Sequence, residues 1–580
     1  MAKNIKVSTT EKFISSFSGS VSVGTIVETL GYTTEGDGGG ASWTKTATTG
    51  TASQSPAQLA DALLNDASGN QWALVVNDSV MPEQLGATIG SGDNKLHVYA
   101  CLIASMRKGV FVKLTGEYPI SEKITVTTTA GITIKGTSPD KSRILSPNGG
   151  ILIIQSSVLH SIVIDDIGFI ATGNASGTGL EIDGSDTISG GVLFGRTENK
   201  ALISNVKFSA NVAASAFQWD ICLHFKSFDK FSVSKILTRG NGTQPSTSIG
   251  ILMNGDGIMV ESYISGWWGY NHINALEVAD AHEGLFVNDF NLVAVINGLS
   301  LGVETANTIG LTSSLKCLGD VIYDGHINCF NTAISCNLLK TNQSFISNVL
   351  CYVNEGSASP TQTTREVVIL GSGKYNKINN LSIVTLTPIT KSALAPIVIQ
   401  DNSHGSFSNM SYADGENASL TTSNIIGTGA MLFCNLDIAV DTLDNAFNAV
   451  IKIANTTNGN VFSVKSDASF LNGFVSPTSG TIPIGNDYGI DTPSLQNISL
   501  TSGAASQSVS IPLQTGKYNQ APSLATAEQT NDLGAGVWVK VIYDKNASSS
   551  SALAFKIYPS TSGGTLPTGT ITVVSQVLKP

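Results

Sequence analysis

Ile164-Asp165-Asp166-Ile167-Gly168-Phe169, Ile203-Ser204-Asn205-Val206-Lys207-Phe208, Ile346-Ser347-Asn348-Val349-Leu350-Cys351, Ile378-Asn379-Asn380-Leu381-Ser382-Ile383 and Phe407-Ser408-Asn409-Met410-Ser411-Tyr412 repeat one pattern, apolar-x-Asn/Asp-apolar-x-apolar. Weaker copies start at Val233, Val287 and Ile322, and a degenerate copy at Val260 halves the one long gap. The copies recur about every 30 residues, a spacing that marks a solenoid. Apolar residues flanking the Asn or Asp suit two short strands with inward side chains. The Asn or Asp suits a bend, because it tolerates left-handed backbone angles. Strand, bend and strand, repeated, make a coil whose rungs pair in parallel about 4.8 Å apart. The expected fold class is all-β, a parallel β-helix.

Composition agrees with this reading. At 580 residues the chain exceeds one compact core, and 58 glycines with 13% charged residues favour a β-rich protein. The net charge of −11 argues against nucleic acid or an anionic membrane surface as partner. Met1 to Thr10 lacks the apolar core of a signal peptide, and no stretch nears the ~18 apolar residues of a membrane span. Synthesis and folding in a cytoplasm are expected. The seven cysteines contain no CxxC pair, which points to buried free thiols and to neither a disulfide framework nor a metal site. No cofactor is expected.

Along the chain four regions separate. Residues 1–80 carry Gly31-Tyr32-Thr33-Thr34-Glu35-Gly36-Asp37-Gly38-Gly39-Gly40-Ala41 and close on Gln71-Trp72-Ala73-Leu74-Val75. The glycine run lacks the Gly-Lys-Ser/Thr of a phosphate loop, so a tight turn in a small β domain is expected. Residues 81–135 open with a helix, since Leu96, Tyr99, Leu102, Ile103 and Met106 recur at helical spacing behind Asp93-Asn94. That helix is expected to cap the open first rung. Residues 136–434 are the coil. Residues 435–580 alternate in runs such as Val537 to Tyr543 and Leu553 to Tyr558, expected to be antiparallel strands of a β-sandwich.

The order Gly86-Ala87, Asp93, helix, Val110-x-Val112-x-Leu114, Gly116-x-Tyr118-x-Ile120, Ile132-x-Ile134-x-Gly136 resembles the opening of pectate-lyase-like right-handed β-helix proteins. Together with the glycine-rich segment it is similar to bacteriophage tailspikes, the receptor-binding polysaccharide depolymerases. Thr115 stands where the family usually has proline before Gly-x-Tyr. The resemblance implies a right-handed coil, a homotrimer, virion attachment through the amino-terminal region to a phage tail or adaptor protein, and a capsular or O-antigen polysaccharide as partner. It implies a virion protein acting outside the bacterial cell, whose carboxy-terminal domain trimerises or binds sugar.

Used as a ruler, the repeat aligns acidic residues. Four positions before the copies at 233, 260 and 287 stand Asp229, Asp256 and Glu283, and seventeen after those at 260 and 287 stand Glu277 and Glu304. Stacked carboxylates perturb one another's pKa, as a glycosidase's acid and base require. Asp256, Glu261, Glu277, Glu283 and Glu304 are therefore the catalytic candidates for polysaccharide hydrolysis. Adjacent Trp267 and Trp268 cannot both point inward from one strand, and with Tyr270 and His272 they are candidates for sugar contact. Alternatives are a β-eliminating lyase, with His272, His282, Tyr270 or Tyr323 as base, and a non-catalytic receptor-binding spike. Gly298-Leu299-Ser300-Leu301-Gly302 matches a nucleophile elbow, yet alignment at an offset of 35 sets Ser300 beside Ser335 in a rung.

Overall fold

Midway through each rung the chain turns on one residue with positive φ: Asp166 (59°), Asn205 (47°), Lys235 (52°), Gly266 (60°), Asp289 (50°), Asp324 (52°), Asn348 (54°) and Asn380 (51°). Left-handed backbone costs an L-residue about 1–2 kcal/mol, least for Asn and Asp. Bonds between rungs offset part of that cost: Asn205 donates to Asp166, Asn348 Nδ2 to Asp324 Oδ1 at 2.9 Å, and Asn380 Nδ2 to Asn348 Oδ1 at 2.9 Å. Where the polar ladder lapses, Gly266 supplies the angle without strain.

The computed structural model describes the chain except residues 1–3, 18–20, 51–60, 157–159, 186–200, 212–215, 229, 242–246, 256–258, 280–281, 304–316, 319, 330–338, 342–343, 354–367, 371–375, 386–396, 400–403, 415–424, 428–429, 441–450, 454–461, 465–489, 492–495, 513–523, 530–538, 550–551, 561–563 and 579–580. Each bent strand, such as Ala201–Ala210, Ser232–Arg239 and Met259–Tyr270, pairs in parallel with the bent strand of the next rung. Between them along the chain lie the strands of a companion sheet, also parallel, from Ile124–Thr127 through Thr178–Asp183, Ile221–Lys226, Ile249–Asn254 and Asn274–Ala279 to Ile451–Ile453. Alternate visits to two parallel sheets make a parallel β-helix.

Its interior is a set of apolar columns. Ile164, Ile203, Val233, Ile264, Val287, Ile322, Ile346 and Ile378 follow one another in register, all buried. Deeper in the rung Phe169 stacks on Phe208 with centroids 5.1 Å apart. The columns correct the sequence register at one rung: Ile264, not Val260, continues the repeat between Val233 and Val287. The copy at Ile264 escaped because its bend is Gly266, while Glu261, the residue after Val260, also has φ 50°.

The amino-terminal sheet has the order Asn4–Val7, Ile26–Thr29, Ser42–Thr49, Asn70–Leu74, Leu63–Asn65, parallel in its first pair and antiparallel thereafter. Helix α1 (Thr10–Ser16) lays Phe13 edge-on against buried Trp72, centroids 4.9 Å apart. In the glycine run Asp37 accepts backbone N–H bonds from Tyr32, Thr33, Thr34 and Gly39 at 2.8–2.9 Å. Partial burial works to raise its pKa, but these donors outweigh it and hold the carboxyl below its ordinary value. The chain's own carboxylate thus fills the cradle that a phosphate would need.

Helix α2 (Lys95–Lys108) ends on left-handed Gly109 and packs on the first strands of the coil. It buries Val98, Cys101, Leu102, Ser105 and Met106, whereas Leu96 is exposed. Gly86, φ 103°, is pressed by the Tyr32 ring, 2.7 Å from where a Cβ would stand. Thr115 explains its departure from proline: its N–H donates to Tyr118 Oη at 3.1 Å, and its hydroxyl bonds Glu83. Cys101, Cys222 and Cys351 are buried free thiols.

By internal contacts the chain divides into two units, the second comprising Ala430–Leu436, Thr456–Lys465 and Ser476–Pro580. In that unit Gln496–Leu500, Leu524–Gln529 and Ile490–Asp491 pair antiparallel with Gly569–Leu578, and Gln507–Pro512 and Val539–Tyr543 with Ala552–Pro559. Ile498, Ile511, Leu553, Phe555 and Ile571 form a core shared by the two sheets.

Candidate functional site on the outer faces of the coil

The strand Thr178–Asp183 alternates, with Leu180 and Ile182 inside the coil and Glu181 and Asp183 outside. One rung on, Ile221–Lys226 repeats the alternation with opposite charge: Leu223 and Phe225 inside, His224 and Lys226 outside, directly opposite Glu181 and Asp183. Parallel register turns this into two cross-rung ion pairs. His224 Nδ1 lies 3.5 Å from Glu181 Oε1, and Lys226 Nζ lies 2.9 Å from Asp183 Oδ2. Lys123 Nζ reaches Glu181 Oε2 at 3.7 Å. The second ring nitrogen of His224 meets Asn254 Oδ1, on the following rung, at 2.8 Å. Both carboxylates are mostly buried, with side chains 15% and 14% exposed, whereas their partners Lys123 and Lys226 are 40% and 42% exposed.

The hydrogen bond from His224 is the largest effect on Glu181 and holds its carboxyl below the ordinary value despite burial. Burial works to raise the Asp183 pKa, but bonds from Ser185 and Lys226 outweigh it, and this carboxyl too lies low. Two positions apart on one strand, the two residues are separated by about 6.6 Å along the backbone.

Glu277 stands in the column of Glu181 and His224, following Leu252 and preceding Ser300. It accepts a hydrogen bond from Asn274 Nδ2 at 2.5 Å, and Asn274 in turn accepts one from Asn297 at 2.6 Å. Leu252 interrupts this column, so its polar members fall in two groups, Glu181 with His224 and Glu277 with Ser300. Sequence reasoning passed over Glu181, Asp183, His224 and Lys226, although the matched alternations Glu-Ile-Asp and His-Phe-Lys were the available signal.

The other sequence candidates are dispersed. Glu261 is exposed on the bent sheet at a left-handed residue, 3.6 Å from Lys230 Nζ, and shares no face with Glu277. The backbone of Glu283 lies opposite Val260 and Leu318 rather than beside acids, and its side chain is outside the described residues. Asp229, Asp256 and Glu304 are likewise outside them. Glu277 faces Ser300, so the columns drawn from Val260 dissolve with the corrected register. Ser300 sits mid-strand opposite Lys340, not Ser335.

Of the two tryptophans one points in and one out. Trp267 is fully buried, its Nε1 donating to Thr238 Oγ1 at 3.0 Å, whereas Trp268 is 61% exposed. Tyr270 is exposed beside the Arg239 guanidinium, 5.4 Å from its ring centre. His272 is enclosed, its ring nitrogens 3.0 Å from Thr238 Oγ1 and 3.3 Å from Ser248 Oγ. Burial pushes its pKa down to about 4, against the raising effect of backbone hydrogen bonds at Thr238 and Ser248. Trp267 and His272 therefore belong to the interior, a correction to their expected contact with sugar.

No family model matches the chain, and no relative is found among curated proteins. Among solved structures the chain is similar to the gp42 tailspike of Acinetobacter phage vb_AbaP_AS12, with 12% identity, TM-score 0.42 and coverage of 98% of this chain and 95% of that one. A second is the tailspike gp49 of Acinetobacter baumannii bacteriophage Fri1, a capsular polysaccharide depolymerase, with 11% identity, TM-score 0.40 and coverage of 99% and 98%. A third is the tailspike gp61 of Pseudomonas phage phi297, with 9% identity, TM-score 0.43 and coverage of 87% and 99%. In its parallel-stranded fold, the chain is similar to phage tailspikes.

Proposed function

We propose that the chain is a trimeric phage tailspike that binds and hydrolyses a bacterial capsular or O-antigen polysaccharide. In this reading residues 1–80 attach to the phage tail or an adaptor, α2 closes the open end of a right-handed coil, and residues 435–580 form a sandwich that trimerises or binds sugar. The observation that carries the chemistry is the pair Glu181 and Asp183 on one outer face, met by His224 and Lys226 from the next rung. Asp183, bound directly by a lysine, stays ionised and acts as base toward water. Glu181, whose nearest lysine is farther, is the acid: a polymer covering the face excludes water and raises its pKa. His224 and Lys123 face Glu181 across contacts of 3.5 and 3.7 Å. Glu277 extends the face along the bound chain, and Trp268 and Tyr270 offer flat rings to sugars. Glu283 and Glu304 remain catalytic candidates on sequence grounds, Asp256 loses the register drawn from Val260 that pointed to it, and Glu261 is peripheral.

Glu181→Gln and Asp183→Asn, assayed separately for oligosaccharide release from a panel of purified capsules, test the assignment. Full activity in both removes it from this face, and binding without any fragmentation favours a receptor-binding spike. A lyase reading is favoured by His224 as a base flanked by Lys226 and Lys123, cations suited to a uronate carboxylate. Products with unsaturated-sugar absorbance would establish it.

A further inference from the structure

Leu96 and Tyr99 share the helical spacing of the apolar side of α2, yet neither is buried: Leu96 is 37% exposed and Tyr99 half-buried. Both wall a cavity of about 550 Å³ between α2 and the strand Ile124–Thr127, completed by Lys95, Lys123, Ile124 and Thr125. That volume falls within the ~300–1,000 Å³ of small-ligand sites. Around buried Ile124, alternation turns Lys123 and Thr125 to the outside of the coil. The cavity therefore lies on the same outer face as Glu181. Thr125, Leu152 and Glu181 follow in one column, two rungs or about 9.6 Å from end to end.

Lys123 joins the two places. Its stem runs over Gly149, where a Cβ would stand 3.0 to 3.3 Å from the lysine's Cβ, Cγ and Cδ, and its ammonium ends 3.7 Å from Glu181 Oε2. At that distance the two charges attract without a hydrogen bond, so the ammonium is able to turn to a second anion. Lys95 is held by Glu122, 2.6 Å away, whose side chain is 69% exposed, and such surface pairs contribute little. We propose that this cavity is a subsite for an acidic sugar of the polysaccharide, its ring against Leu96 and Tyr99 and its carboxylate between the ammonium groups of Lys95 and Lys123. This rests on the reading of the Glu181 face as the hydrolytic one, and it names the substrate class: a polymer with a carboxylate in its repeat unit. The walls select an amphipathic ring bearing one anion, since Leu96, Tyr99 and Ile124 are apolar while two lysines and a threonine hydroxyl supply the donors. Filling the subsite also acts on Glu181. An anion that draws Lys123 away removes one of the charges that, after the larger effect of His224, hold that carboxyl low, and the acid then takes up a proton more readily.

Saturation-transfer difference NMR on the full chain tests it, with methyl β-glucuronide as probe and methyl β-glucoside as the neutral counterpart. The glucuronide should receive about fivefold more transfer than the glucoside, and Lys95→Met and Tyr99→Ser should each reduce it about threefold. Equal transfer to the two sugars, or glucuronide transfer unchanged in both variants, overturns the inference. Should the variants not fold, ionic strength decides: about 0.5 M sodium chloride should lower the wild-type glucuronide signal about threefold, and an unchanged signal overturns it. Fragment release by Glu181→Gln is measured in parallel. Full activity in that variant, with glucuronide binding still dependent on Lys95 and Tyr99, removes the chemistry from Glu181 and leaves the subsite standing.

Discussion

The two sheets of the coil have the same interior and opposite exteriors. Inside, both stack aliphatic and aromatic side chains in register. Outside, the companion sheet pairs Glu181 and Asp183 with His224 and Lys226, whereas the bent sheet exposes Tyr263, Trp268, Tyr270 and Phe345. Parallel register makes each outward column a chemical series, so a substitution on one rung is read against its neighbours. The companion sheet holds charges in close cross-rung pairs, and the bent sheet leaves apolar and aromatic side chains exposed.

The sharpest way to break that contrast is to neutralise the acids. Glu181→Gln or Asp183→Asn should lower depolymerisation by about 10²–10⁴-fold, while Leu202→Ala on the bent sheet should leave turnover within a few-fold; fragment release measured for all three compares the faces directly. Next in size is the shared interior. Ile264→Ala should cost about 2–5 kcal/mol in denaturant unfolding, and a negligible loss would return the repeat to Val260.

The interior also carries a pH dependence. Below the ordinary His pKa of 6.5 the unfolded chain takes up a proton that His272, held near 4, refuses. Stability should therefore be unaffected by this group above pH 6.5 and decline as pH falls toward 4, by up to about 3 kcal/mol. Melting temperatures of wild type and His272→Gln over that range should converge as the pH is lowered. Smaller still is the bend: Asn348→Ala should cost about 1–2 kcal/mol through left-handed strain and lost ladder bonds, and Asn348→Gly distinctly less. Trp268→Ala should have the smallest effect on stability, within about 0.5 kcal/mol, and show itself only as weaker polymer retention.

The bend ladder was legible in the sequence because left-handed backbone restricts the residue types that can stand there. Asp166, Asn205, Asn348 and Asn380 announce themselves, and Gly266 does not, since glycine serves many turns. A four-residue error at that one rung then displaced every acidic column drawn from it. The face around Glu181 was harder to see for another reason. Asp183 and its partner Lys226 are far apart in sequence, and nothing in either strand alone fixes which rung lies opposite. Trp267 and Trp268 were readable as a pair of opposite orientation, but the strand's parity, and hence which one is inside, depends on the register of Ile264.

Stacked bends also make the rung a removable unit. Asp324 and Asn348 hold equivalent positions on successive rungs, so excising residues 325–348 would join Asp324 to Val349 with the same geometry that Asn348 now provides. The coil would shorten by one spacing while the columns above and below kept their alignment. Length in this architecture can be edited in whole turns, and a spike of different reach needs no new folding principle.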